Sequence, residues 1–207
     1  MKNFLLFIPL VVLISACSLF SGEEEAPPLP GERISILDLE EELTPVAAEL
    51  AVPIEITLAD PNQNWPQSGR IPQNLMGNLE MADIKNLDMI WKADIGKGSA
   101  TRLPLTAQPV ALDGRIFAID TKSTVSAFDT QTGRLIWERN VRPESEDESV
   151  IAGGLGVDGN QLIVSAGYNE ILSLDVTNGK INWRTAMSAG SRAAPTIDGN
   201  RVFIKTL

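Results

Sequence analysis

Few residues in this 207-residue chain could do covalent chemistry, and histidine is absent from it. Its one cysteine, Cys17, has no second thiol to pair with and no imidazole with which to build a nucleophilic dyad or a zinc site. Acids are more plentiful. Asp120, Asp129 and Asp175 fall at the ends of strand-like runs, and Asp129 and Asp175 hold equivalent places 46 residues apart, where capping a turn explains both. The other candidates are Trp91, Trp137 and Trp183, again spaced by 46. A tryptophan that stacks on a cofactor or a sugar has to be one special ring. Three equivalent ones are expected to be structural, packing on the neighbouring unit, each burying about 150–250 Å² with its N–H bonded to backbone. No catalytic residue, metal ligand or cofactor is assigned on this basis, and the expectation is a protein that is not an enzyme.

The segment that presents Cys17 has the form of an export signal. Met1-Lys2-Asn3 gives a short positive start, and Phe4 to Ile14 is an eleven-residue run that is apolar apart from the stiff Pro9. That run is too short for a membrane span of about 20 residues and fits the 7–15 of a secretory apolar region. Ile14-Ser15-Ala16-Cys17 then resembles the lipobox of bacterial lipoproteins, the alternative being a chance cysteine in an ordinary signal peptide. The resemblance implies that the sulfur takes a diacylglyceryl group, that the chain is cut before Cys17, and that the new amino terminus is acylated. Two or more acyl chains anchor a protein to a bilayer far more firmly than one. Ser18, rather than Asp, at the next place points to the outer membrane. Residues 1–16 are thus expected to be a lipoprotein signal peptide, and Cys17 the lipidated start of the mature chain.

The net charge of −10 is concentrated just beyond this anchor: residues 18–60 contain eleven acids and one base, Arg33, whereas residues 61–207 hold sixteen acids and fifteen bases. No basic face is available for nucleic acid, and nothing suggests attraction to anionic headgroups. SGEEEAPPLPGE reads as an extended, solvated spacer, because its like charges repel and Pro27, Pro28 and Pro30 oppose helix. Residues 17–60 are assigned as a lipid-anchored acidic linker. Within it, VPIEITL alternates well enough for a strand, and ISILDLEEEL is ambiguous between helix and strand.

From residue 61 the chain repeats. ALDGRIFAIDTKSTVSAFDTQTGRLIW and GVDGNQLIVSAGYNEILSLDVTNGKINW are two copies, LDMIW is the end of a weaker earlier one, and TIDGNRVFIKTL opens a later one. Several short strands per 40–50 residues mark a propeller blade. Strands are expected near 107–112, 115–120, 124–129 and 134–139, and again about 46 residues on, with Asp113-Gly114, Asp158-Gly159 and Asp198-Gly199 joining first to second strands. The fold class is all-β: a partial β-propeller of four-stranded antiparallel blades over residues 61–207, about three blades, made of two nearly complete blades, the outer part of one before and the inner part of one after.

WPQSG at Trp65–Gly69, IWKADIGKG at Ile90–Gly98, and the AFDTQTGRLIW and SLDVTNGKINW copies resemble the pyrroloquinoline-quinone-like propeller repeats. With the lipobox they resemble the BamB family, the propeller lipoproteins of the outer-membrane β-barrel assembly (BAM) machinery, in its alphaproteobacterial form. The resemblance implies an eight-bladed full-length protein, of which this chain looks like an N-terminal fragment. It implies a non-catalytic scaffold on the periplasmic face of the outer membrane that aids assembly and insertion of β-barrel proteins, with the barrel-assembly subunits as partners and the membrane reached through Cys17. Two rivals stay open: a periplasmic quinoprotein dehydrogenase-like propeller, which would need a quinone, a calcium ion and an aspartate base, and another periplasmic binding module.

A partner surface is sought on loops. The connection from Trp91 to Asp113 takes 22 residues and that from Trp137 to Asp158 takes 21, against 15 from Trp183 to Asp198. One long loop, GKGSATRLPL, carries Lys97, Arg102, Leu103 and Leu105, and an arginine beside apolar side chains is the composition of an interface hot spot. The other, RPESEDES, carries Glu144, Glu146, Asp147 and Glu148 and is expected to be solvated.

Overall fold

The computed structural model describes Pro53, residues 55–81, Lys85 and residues 87–207; the expected signal peptide, Cys17 and most of the acidic linker lie outside the described residues. Among the described residues ten strands follow in order: β1 (Val110–Leu112), β2 (Arg115–Ile119), β3 (Thr124–Asp129), β4 (Leu135–Asn140), β5 (Gly154–Asp158), β6 (Gln161–Ser165), β7 (Glu170–Asp175), β8 (Ile181–Ala186), β9 (Thr196–Asp198) and β10 (Arg201–Phe203). Each pairs antiparallel with its neighbour in sequence, giving sheets β1-β2-β3-β4 and β5-β6-β7-β8 and the hairpin β9-β10. This is the all-β partial propeller expected of the repeat.

The strand sequences explain the stacking of these sheets. The middle strands read RIFAI, TVSAFD, QLIVS and EILSLD, nearly continuous apolar runs, because a blade is covered on both faces; Phe117, Val125, Leu162 and Leu172 are fully buried. The outer strands β4 and β8 are exposed along most of their length. First strands adjoin, β1 against β5 and β5 against β9, while β4 and β8 make no such contact, so the sheets fan out from a shared axis.

The strand boundaries differ from expectation at three places. The strand expected at 107–112 begins only at Val110, directly after Pro109, and the short β9 likewise follows Pro195; proline has no N–H to give to a ladder. The hairpins also differ. In the first, Leu112 pairs with Arg115 and the turn is Asp113-Gly114, with φ of 46° and 75°. In the other two, Asp158 pairs with Gln161 and Asp198 with Arg201, so the turn residues are Gly159-Asn160 and Gly199-Asn200, not the expected Asp-Gly pairs. One more residue follows the Asp-Gly in those copies, and only the leading glycine takes positive φ, the II′ form of a two-residue hairpin. Finally, residues 87–91, expected as an outer strand, form no ladder, and Leu87, Met89 and Ile90 are exposed. An apolar, β-prone run does not make a strand without a neighbour to take its backbone groups.

Residues 64–67 run along the inner edge of the fan. Trp65 exchanges both backbone hydrogen bonds with Ala111 of β1, at 2.8 Å each. The Pro66 carbonyl accepts from Val157 N–H of β5 at 2.8 Å. The Gln67 side chain, 4% exposed, reaches β9, where its Oε1 accepts from Ile197 N–H at 2.7 Å and its Nε2 donates to Ile197 O at 3.3 Å. A stretch of four residues thus bonds to the first strand of each of three successive sheets.

Candidate functional site

The three repeat tryptophans lie on the outer parts of the fan, and two of them are docked alike. Trp137 of β4, 8% exposed, donates its Nε1–H to Val176 O at 2.9 Å, and Trp91 donates to Thr130 O at 2.8 Å. Each ring lies over a glycine of the following turn: a Cβ on Gly179 would come within 2.5 Å of Trp137 Cε3, and one on Gly133 within 2.6 Å of Trp91. Both glycines hold positive φ, 69° and 67°, so the turns need glycine for conformation as well as for space. Trp183 has no such neighbour among the described residues and is 38% exposed.

Asp129 and Asp175 organise those same turns. Asp129 Oδ1 accepts from the Thr132 hydroxyl and from the N–H groups of Thr132 and Gln131, between 2.8 and 3.0 Å. Asp175 accepts from the N–H groups of Thr177 and Asn178 and from Asn160 Nδ2. The Thr132 hydroxyl, followed by its N–H, holds the Asp129 carboxyl below the ordinary 3.8. The Thr177 N–H, then the Asn160 amide, does the same for Asp175. A carboxyl whose folded pKa is depressed stabilises the fold above its unfolded pKa and ceases to do so as pH falls through the folded value. The thermal midpoint is therefore expected to fall on acidification below about pH 4, and to fall less steeply in Asp129→Asn plus Asp175→Asn. Scanning calorimetry between pH 6 and 3 checks this; parallel curves for the two proteins would refute it.

The long loop after Trp91 brings Lys97, Arg102, Leu103 and Leu105 onto one connection, but not as a single exposed patch. Lys97 and Arg102 are exposed, whereas Leu103 and Leu105 are half-buried. The loop is tied down by Asp120, which the sequence marked only as a strand-end acid, and by two residues not singled out there, Thr121 and Thr106; the Thr106 hydroxyl donates to Ala152 O, just before β5, at 3.4 Å. The acidic loop keeps Glu144, Glu146, Asp147 and Glu148 exposed. It is held by Arg142 Nη1, which donates to Asp147 O at 3.2 Å, and by the Tyr168 hydroxyl, which donates to Glu148 O at 2.9 Å. Among the described residues no three of His, Cys, Asp and Glu gather as they would to hold a metal ion. A break in the repeat was the available signal for the clamp: Asp120 and Thr121 stand where the next copy has Ala166 and Gly167.

Comparison with known proteins bears on the whole repeat region. The family model described as outer membrane protein assembly factor BamB matches residues 77–150 and 121–207. BamB of Bordetella pertussis is 32% identical over 114 residues, covering 55% of this chain and 26% of its own length. BamB of Salmonella typhimurium is 22% identical over 194 residues, 90% of this chain and 37% of the relative. The quinohemoprotein alcohol dehydrogenase of Comamonas testosteroni is 26% identical over 150 residues, 68% of this chain and 21% of its own. Its crystal structure aligns with a TM-score of 0.56 at 21% identity over 70% of this chain and 23% of the other, a likeness of fold. This chain therefore spans well under half the length of these relatives, between 21% and 37%. With two overlapping matches across residues 77–207, the chain belongs to the family of the outer membrane protein assembly factor BamB.

Proposed function

We propose that this chain belongs to a non-catalytic lipoprotein scaffold of the outer-membrane β-barrel assembly machinery, of the alphaproteobacterial type, which aids assembly and insertion of β-barrel proteins. Residues 1–16 direct export, Cys17 carries the lipid that holds the protein on the periplasmic face of the outer membrane, residues 17–60 are the acidic tether, and residues 61–207 form the propeller region. The single observation that carries this reading is the BamB family match over residues 77–207. The lipobox-like Ile14-Ser15-Ala16-Cys17 agrees with it. The long loop with Lys97, Arg102, Leu103 and Leu105 is the proposed docking element, and Trp91, Trp137 and Trp183 are structural.

Two measurements test it. Labelled palmitate is expected to enter the full chain and not Cys17→Ala; label that survives the substitution refutes the anchor. Affinity capture from solubilised membranes is expected to recover the barrel-assembly subunits with the wild-type chain. The likeness to the alcohol dehydrogenase favours one second reading, a quinoprotein-type oxidoreductase. Alcohol oxidation after addition of pyrroloquinoline quinone and calcium would establish that reading and overturn the scaffold.

A further inference from the structure

The loop after Trp91 is held in one shape by a buried acid. Asp120, 3% exposed, follows β2, and its carboxylate accepts three backbone N–H groups: Lys122 at 2.8 Å and Thr124 at 2.7 Å on Oδ1, and Lys97 at 3.0 Å on Oδ2. Thr121 completes the clamp. Its hydroxyl lies 3.0 Å from both the Lys97 and the Gly98 carbonyl oxygens, and its N–H donates to Lys97 O at 3.1 Å. Above this base the chain closes a tight turn in which Ala100 and Leu103 exchange both backbone hydrogen bonds, at 3.0 Å each. The Ser99 hydroxyl accepts from Leu105 N–H at 2.9 Å. Thr101 and Arg102 form the exposed tip, with Leu103 and Leu105 half-buried beneath. From Ile95 to Pro109 there is no acid, and the nearest carboxylates, Asp94 and Asp120, bond to the Gly96 and Lys97 N–H groups at the base of the loop, so the exposed tip carries the positive charge of Arg102.

We propose that Asp120 and Thr121 are positioning residues that present the Ala100–Leu103 turn, tipped by Arg102, as a preformed probe for an acid-lined recess on a partner protein. The proposal rests on the scaffold reading for the identity of that partner. A loop ordered before binding loses little conformational entropy on docking, which is the advantage of the clamp. Arginine at the tip suits a carboxylate-lined recess because its planar fork can make two parallel hydrogen bonds. The positive charge also fixes the sign of the partner surface.

The test places a photo-crosslinking benzoylphenylalanine at Thr101 in the full chain in intact cells and maps the adduct by mass spectrometry. The expected adduct is on a barrel-assembly subunit, at a site lined by Asp or Glu. Its yield should fall at least tenfold with Arg102→Glu and much less with Arg102→Lys. Asp120→Ala plus Thr121→Val is expected to lower the yield and to raise amide exchange at Lys97 at least tenfold while the β2 and β3 amides stay protected. If that double variant unfolds the sheet, Thr121→Val alone is read in the same way. No adduct, or a yield indifferent to Arg102→Glu, overturns the probe. Unchanged Lys97 exchange overturns the clamp. An adduct mapped to an acid-lined site on an unrelated protein keeps the probe and removes the scaffold reading.

Discussion

Trp137→Ala is expected to destabilise the propeller region by about 3–5 kcal/mol, the usual loss for removing a buried aromatic side chain. The ring is 8% exposed, packs against Phe117 with centroids 5.9 Å apart, and covers Gly179 of the next turn. Its removal opens a cavity between sheets and leaves the Val176 carbonyl without its 2.9 Å donor. Trp137→Phe keeps much of the apolar area but not the donor, and is expected to fall between wild type and alanine. Trp183→Ala removes a ring that is 38% exposed with no equivalent turn beneath it among the described residues, and should cost only ~1 kcal/mol. Urea unfolding followed by circular dichroism measures all three. Equal losses at Trp137 and Trp183 would contradict the docking of one ring and not the other.

The second large effect is expected at Gln67. Gln67→Leu keeps the size of the side chain but withdraws the acceptor and the donor that satisfy Ile197 N–H and C=O. Two half-shielded backbone groups then lose their partners, and the cost is about 2–3 kcal/mol. The damage should be local to the last hairpin: exchange at the β9 and β10 amides rises by at least an order of magnitude while β6 and β7 stay protected. Gln67→Glu is a useful companion, since it restores the acceptor for Ile197 N–H but repels Ile197 O. Uniform exchange across the sheets in Gln67→Leu would show that the side chain does not brace the third sheet.

Much of this architecture was legible from local chemistry. The apolar runs and the Asp129 and Asp175 turns are local patterns, and the 46-residue recurrence of Trp91, Trp137 and Trp183 is visible as a repeat, so the sequence displays them directly. The equivalent breaks in register at Ala127/Phe128 and Ser173/Leu174 show how closely the copies agree. What stayed hidden depends on partners distant along the chain. Gln67 looks like any polar loop residue until Ile197 is placed beside it, and Asp120 looks like another strand-end acid until Lys97 folds back onto it. The misplaced hairpin turns had a local cause, the added Asn160 and Asn200, which moves the turn by one residue. Residues 87–91 misled because propensity states what a run prefers and not whether a neighbouring strand exists to receive it.

The stretch at residues 64–67 also sets an order of events. Gln67 and its bonding partner Ile197 lie 130 residues apart, so this closure cannot form until nearly all of the described sheets have been made. At about 5–20 residues per second, those intervening residues take roughly 6–26 s to emerge from a ribosome. Hairpins, by contrast, close in about 1–10 μs. Each blade can therefore complete itself while Gln67 is still without Ile197, and a stretch made before all of the described strands is the last to complete its contacts. Until residues 64–67 seat against them, the inner edges of β1 and β5 are open templates for strand pairing, which makes the unfinished fold dependent on whatever shields such edges.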